Sequence, residues 1–115
     1  MKRDFTYIDD VIEGIIKVMS RIPNKHENNF SKAKPPYIIY NVGNNSPVTL
    51  HEFIQTIEKC CGVKANKNYK PMQPGDVPIT YANIDSLIAD VSFSPSTSIE
   101  SGIKKFVEWY KNEIL

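Results

Sequence analysis

Apolar positions along the chain fall into short blocks whose spacing alternates between helical and extended. Val11, Ile12, Ile15, Ile16, Met19 and Ile22 recur every three or four residues after Asp9. That period puts them on one face of a helix, which Pro23 and Asn24 stop, and the face is expected to be buried. Residues 23–36, PNKHENNFSKAKPP, have no apolar period and carry prolines at both ends, so they read as a long exposed loop. YIIYNV, from Tyr37 to Val42, is a β-rich run closed by the turn-forming GNNSP, and its near-continuous apolarity predicts a strand buried on both faces.

A second helix is marked by its ends. Thr49 and Glu52 have the spacing of a capping box, Leu50, Phe53, Ile54 and Ile57 form its stripe, and Gly62 stops it after Cys61. Asn68–Pro78, NYKPMQPGDVP, is rich in proline and reads as a short edge strand running into a turn. A short helix is predicted over Asp85–Asp90. The last helix is expected to start with a Thr97–Glu100 capping box and to bury Ile99, Ile103, Phe106, Val107 and Tyr110. The pattern contains no internal repeat and no low-complexity tract.

Composition narrows the class without naming a function. At 115 residues the chain is one domain's worth, and 41% hydrophobic with 23% charged residues suits a folded protein better than a disordered one. A net charge of +1 gives no electrostatic argument for nucleic acid or an anionic membrane as partner. No apolar run approaches the roughly 18 residues of a membrane span. Asp4, Asp9, Asp10, Glu13 and Lys17 interrupt any signal-peptide core, so the expected location is cytoplasmic. Cys60 and Cys61 are neighbours, a spacing that disfavours a bond between them and fits two reduced thiols on a helix end.

Chemistry is sparse. GxGxxG, the P-loop, GxSxG, HExxH and CxxC are all missing, and the two histidines, His26 and His51, fall in the polar loop and on the second helix's first turn. Asp9 and Asp10 could form a carboxylate pair, but adjacent residues on a helix diverge by about 100°, so capping and dipole complementarity is the better reading.

The order of the blocks says more. RDFTYIDDVIEGI, YNVGNNSPVTLHEFI, QPGDVPITYANIDSL and SFSPSTSIESGIKKFVEWY follow one another along essentially the whole chain. Together they resemble the C-terminal third of NAD-dependent nucleotide-sugar epimerases and dehydratases of the extended short-chain dehydrogenase/reductase class. The branch they resemble most is the UDP-glucuronate 4-epimerases of capsule and lipopolysaccharide pathways. The resemblance implies an α+β fragment of an α/β enzyme: about four helices and two or three short strands, lacking the Rossmann core. It further implies one domain over residues 1–115 that binds the UDP-sugar, while the hydride chemistry at sugar C4 belongs elsewhere. None of the six tyrosines is followed four residues later by lysine, and the glycine fingerprint is missing, so no catalytic residue is assigned. NAD serves the full-length family and is not expected to bind this chain alone.

Three substrate-binding positions carry over. Arg3 matches the family's arginine on the substrate diphosphate, a role suited to the guanidinium fork; otherwise it is half of a surface ion pair. Asp76 in QPGD matches the acid that accepts from ribose hydroxyls, and equally reads as a turn former after Gly75. Gln73 stands where galactose-type relatives place a second phosphate-binding arginine. Asp10 is a family position read as structural, Asn41 and Gly43 as serving the backbone, and Ser92 replaces the glycine usual before F-x-P. The YIIYNV strand, in relatives an edge of the Rossmann sheet, is expected to repack or to self-associate through residues 37–42. Two functions stay open: the UDP-sugar-binding part of an epimerase converting UDP-glucuronate to UDP-galacturonate, seen as a truncated piece and inactive alone, or a free-standing binding module that kept the fold. Met1 reads equally as a start or as an internal methionine of such an enzyme.

Overall fold

A computed structural model of the chain describes residues 1–23 and 37–114. The long-loop prediction therefore falls, from residue 24 to 36, outside the described residues. The element order is β1 (Lys2–Arg3), α1 (Ile8–Met19), β2 (Val48–Thr49), α2 (Leu50–Cys61), α3 (Asp85–Val91) and α4 (Ile99–Glu113). Four helices and a two-stranded sheet make the expected α+β fragment.

The sheet is a short antiparallel ribbon in which Lys2 pairs with Thr49 and Arg3 with Val48. On its other side β1 meets Ile79 in a parallel bridge. Lys2 N–H donates to the Pro78 carbonyl at 2.8 Å and the Lys2 carbonyl accepts from Thr80 N–H at 3.2 Å. β1 thus stands between two segments that are far from it in sequence.

Local signals set the helix ends where the side chains can reach. Thr49 Oγ1 accepts from Glu52 N–H at 3.1 Å and Glu52 returns its carboxylate to Thr49 N–H, a complete capping box. Gly62, at φ 74°, takes the left-handed conformation that ends α2. Cys60 and Cys61 sit on its last turn as free thiols. The last helix departs from expectation: its cap is Ser98, whose Oγ accepts from Ser101 N–H at 3.2 Å. Thr97 lies one residue before the cap, and its amide is donated to Asp10 Oδ2 at 3.0 Å.

The core is small: Ile84, Leu87 and Phe93, each no more than 2% exposed, with Val18, Tyr40, Val42, Ala82 and Val91 packed against them. α1 reaches this core by its narrow side. A Cβ on Gly14 would lie 3.1 Å from the Phe93 ring, so the glycine lets the ring lie against the helix backbone. Asp10, 5% exposed, faces inward beside it and is satisfied by the Thr97 amide.

The apolar stripe of α1 is accordingly not the buried face. Ile8, Ile12, Ile15, Ile16, Met19 and Ile22 are between 45% and 80% exposed. The helix also ends at Met19, with Ser20 as its cap, before Ile22. Residues 37–42 form no ladder with other described residues, and only one side of the segment is covered: Tyr40 and Val42 touch the core while Ile39 is 76% exposed. Backbone groups need a neighbouring strand to make a strand of this run, and among the described residues none lies beside it. No edge strand forms over residues 68–71 either; backbone pairing with β1 is made at residues 78–80. Leu50, Phe106 and Tyr110 are exposed rather than buried, whereas Val107 is buried and Phe53, Ile54, Ile57, Ile99 and Ile103 are half-buried between α2 and α4. Phe5 joins that layer by stacking on Phe53, ring centres 4.1 Å apart.

Candidate functional site

Two of the three candidate binding residues, Arg3 and Asp76, meet beside β1, and Gln73 opens the turn that carries Asp76. Gln73-Pro74-Gly75-Asp76 is a tight turn closed by Asp76 N–H donating to the Gln73 carbonyl at 3.2 Å. Gly75 sits at φ 90°, the left-handed value that a proline-glycine turn of type II needs at its third residue. Gln73 is exposed on this turn.

Arg3, extended in β1, reaches over to it. Arg3 Nη1 donates to the Val77 carbonyl at 2.7 Å and to the Lys2 carbonyl at 3.0 Å. Arg3 Nη2 lies 3.6 Å from Asp76 Oδ1. That separation exceeds the 2.7–2.9 Å of a charge-assisted hydrogen bond, and both side chains keep solvent contact, so the pair contributes well under about 1 kcal/mol. One guanidinium nitrogen, Nη1, is therefore tied to backbone, while Nη2 is the one near the Asp76 carboxylate.

Asp4, which sequence reasoning passed over as a surface partner of Arg3, turns the other way. Its Oδ2 accepts from Asn45 N–H at 3.1 Å and Ala82 N–H at 3.0 Å, and its Oδ1 from Ser46 N–H at 3.3 Å. The available signal was alternation, which puts neighbouring Arg3 and Asp4 on opposite faces of an extended chain. With Thr6, Asn41, Gly43 and Thr80–Asn83, Asp4 lines a polar hollow of about 380 Å³. Asn41 is exposed there, and Gly43 serves the backbone as expected. A Cβ on Gly43 would come within 2.3 Å of the Ala82 Cβ.

Two further ionic clusters pin the frame. Tyr40 Oη donates to Asp90 Oδ2 at 2.7 Å and accepts from Arg21 Nε at 3.0 Å, with Arg21 Nη2 3.2 Å from the same carboxylate oxygen. Burial, then the bond to Asp90, pushes the Tyr40 phenol above its ordinary value; the Tyr40 and Arg21 donors hold Asp90 below its own. A phenol held protonated in this way is a clasp and a poor proton acceptor. Glu58, buried at the end of α2, takes Lys67 at 2.7 Å, Lys64 at 3.3 Å and Ala65 N–H at 2.9 Å. Lys67 first, then the Ala65 amide, pulls its carboxyl down to about 2.

Among the described residues no group of three His, Cys, Asp or Glu side chains could hold a metal ion. No helix there is long and apolar enough to cross a membrane. A dinucleotide needs a glycine-rich turn between a parallel strand and a helix, with free amides at the helix start. Here α2 starts from an antiparallel ribbon and its first amides are taken by the Thr49–Glu52 box, while α4 starts from the Ser98 cap. Among the described residues no helix start follows such a glycine-rich turn.

No protein-family model matches the chain. Solved structures do. The chain superposes on the Bifidobacterium longum UDP-glucose 4-epimerase complex with NAD+ and UDP at a TM-score of 0.79 and 20% identity, covering 96% of this chain and 30% of that one. It superposes on the Bacillus cereus UDP-glucuronic acid 4-epimerase complex with UDP-glucuronic acid and NAD at 0.76 and 27% identity, covering 95% and 32%. The fold is thus a segment of the NAD-dependent UDP-sugar epimerase fold.

Sequence relatives narrow the class. The chain is 50% identical over 119 residues to Staphylococcus aureus protein CapI, covering 96% of this chain and 35% of that protein. It is 44% identical over 118 residues to a probable UDP-glucuronate 4-epimerase of Rhizobium meliloti strain 1021, covering 96% and 34%. To UDP-glucuronate 4-epimerase 1 of Arabidopsis thaliana it is 41% identical over 112 residues, covering 96% and 26%. The chain is homologous to the UDP-glucuronate 4-epimerases and CapI, and it spans about a third of the length of the curated relatives it matches.

Proposed function

We propose that this chain is the single-domain UDP-sugar-binding part, over residues 1–115, of a nucleotide-sugar 4-epimerase that converts UDP-glucuronate to UDP-galacturonate in the cytoplasm. The observation that carries the reading is the meeting of Arg3 and Asp76 at 3.6 Å on the exposed side of β1, in a chain homologous to UDP-glucuronate 4-epimerases. Arg3 would offer its Nη2 and Nε edge to the diphosphate, Asp76 would swing to accept from ribose hydroxyls, and Gln73 would rim the same turn. Removal and return of hydride at sugar C4 is the work of NAD in the whole enzyme. This chain would bind substrate and be inactive alone.

A titration of the chain with UDP, UDP-glucuronate and UDP-galactose by isothermal calorimetry, repeated with Arg3→Ala, tests the reading. Saturable binding that Arg3→Ala weakens about tenfold or more is expected. An absence of binding at millimolar concentrations, or binding indifferent to Arg3, overturns it.

One observation favours a second reading, a free-standing interaction module: the α1 stripe and the outward side of residues 37–42 are apolar and exposed. Under that reading the chain would self-associate through this surface and bind no sugar nucleotide.

A further inference from the structure

We propose that Asp4 is the positioning residue of the Arg3–Asp76 site, holding the segment that carries Asp76 in register with β1 without itself facing the ligand. The inference rests on the binding reading above and deepens it.

The segment from Asp76 to Ala82 lies along β1 and is tied to three consecutive residues. At its site end, the Val77 carbonyl accepts from Arg3 Nη1 at 2.7 Å. In the middle, Lys2 exchanges backbone bonds with Pro78 and Thr80, at 2.8 and 3.2 Å. At its far end, Asp4 takes hold twice: Asp4 N–H donates to Thr80 Oγ1 at 3.1 Å and Asp4 Oδ2 accepts from Ala82 N–H at 3.0 Å.

The same carboxylate collects the Asn45 and Ser46 amides from the turn after residues 37–42. Asn45 is at φ 55°, and this left-handed residue turns two successive N–H groups toward one anion. Gly43 closes the other side: a Cβ there would meet the Ala82 Cβ at 2.3 Å and Asp4 Oδ2 at 3.0 Å. A short carboxylate in so tight a seat admits one placement of Ala82.

That placement matters at the site because a strand advances about 3.3 Å per residue. A slip of one residue along β1 would carry Asp76 away from Arg3 by nearly the present Nη2–Oδ1 separation. The backbone bonds at Lys2 can re-form after such a slip; the bonds to a single side chain cannot. Asp4 therefore supplies the register that the ladder alone leaves open.

The test compares Asp4→Asn with Asp10→Asn, which removes a buried carboxylate acceptor from the Thr97 amide and touches neither Arg3 nor the Asp76–Ala82 segment. UDP affinity is read by calorimetry well below either variant's melting temperature, and amide hydrogen exchange is followed without ligand. Asp4→Asn is expected to weaken UDP about fivefold to twentyfold and to speed exchange of the Lys2 and Thr80 amides tenfold or more relative to α2 amides. Asp10→Asn is expected to lower the melting temperature while leaving UDP affinity within twofold. If Asp4→Asn fails to fold, Thr80→Val, which deletes only the acceptor for Asp4 N–H, is expected to move both readouts the same way by twofold to fivefold. Equal exchange of Lys2, Thr80 and α2 amides in these variants overturns the proposal. So does an unchanged affinity in a variant that has lost stability. Failure of the unsubstituted chain to bind UDP would defeat the binding reading, and the exchange experiment would still decide the role of Asp4.

Discussion

Ser92 ends α3 at φ 50° and ψ 40°, in the left-handed region, with its N–H donating to the Ile88 carbonyl. A residue with a Cβ pays about 1–2 kcal/mol for that conformation, and glycine does not. Against this, glycine gains freedom in the unfolded chain, which costs about 0.4–1 kcal/mol on folding. The Ser92 side chain is exposed and its hydroxyl makes no hydrogen bond among the described residues, so little else is lost on removing it. Ser92→Gly is therefore expected to stabilise the fold by about 0.5–1 kcal/mol, a rise of about 3–6 °C in melting temperature for a domain of this size. Ser92→Val, β-branched at the same angles, is expected to lower stability by at least as much. The effect should be felt in the core because the next residue is Phe93, whose ring lies against Gly14. Urea and thermal unfolding of the unsubstituted chain and of the Ser92→Gly, Ser92→Ala and Ser92→Val variants give the comparison. Equal stabilities for Ser92→Gly and Ser92→Ala would refute the reasoning, since they would show that the left-handed angle is not what limits this position.

Three other outcomes are expected. Glu58 has a folded-state value of about 2 against an ordinary 4.5, so its contribution is complete above about pH 5 and is lost as pH falls through that interval; Glu58→Gln should flatten the stability–pH curve between pH 5 and 2 in urea titrations. Ser98→Ala should cost about 1 kcal/mol, whereas Thr97→Ala should cost clearly less, because Ser98 holds the cap and Thr97 contributes an amide that alanine retains. Ile16→Lys on the exposed α1 stripe should leave the melting temperature nearly unchanged and reduce any concentration-dependent association in sedimentation velocity; a large loss of stability would mean that the stripe is covered after all.

What could be read from the sequence was what neighbours in sequence decide. α2 runs between Thr49 and Gly62 because a capping hydroxyl and a left-handed glycine act within one turn of their own positions. The Gln73–Asp76 turn follows from proline and glycine in order, and α3 came out one residue longer than its prediction. Arg3, Gln73 and Asp76 were marked by resemblance of their local motifs, but the meeting of Arg3 with Asp76 beside β1 was a matter of packing. Tertiary structure decided everything that depends on a distant partner. α1 has an apolar stripe that predicts burial, yet Gly14 and Asp10 make its other side the one that fits Phe93 and the Thr97 amide. The same Asp10 holds the Thr97 amide just before α4, which is capped by Ser98. YIIYNV had the composition of a strand and no strand to pair with, and Asp4 became the anchor of the candidate site through amides some forty and eighty positions away. Periodicity tells which residues share a face; only the set of surfaces available to that face determines whether water or protein covers it.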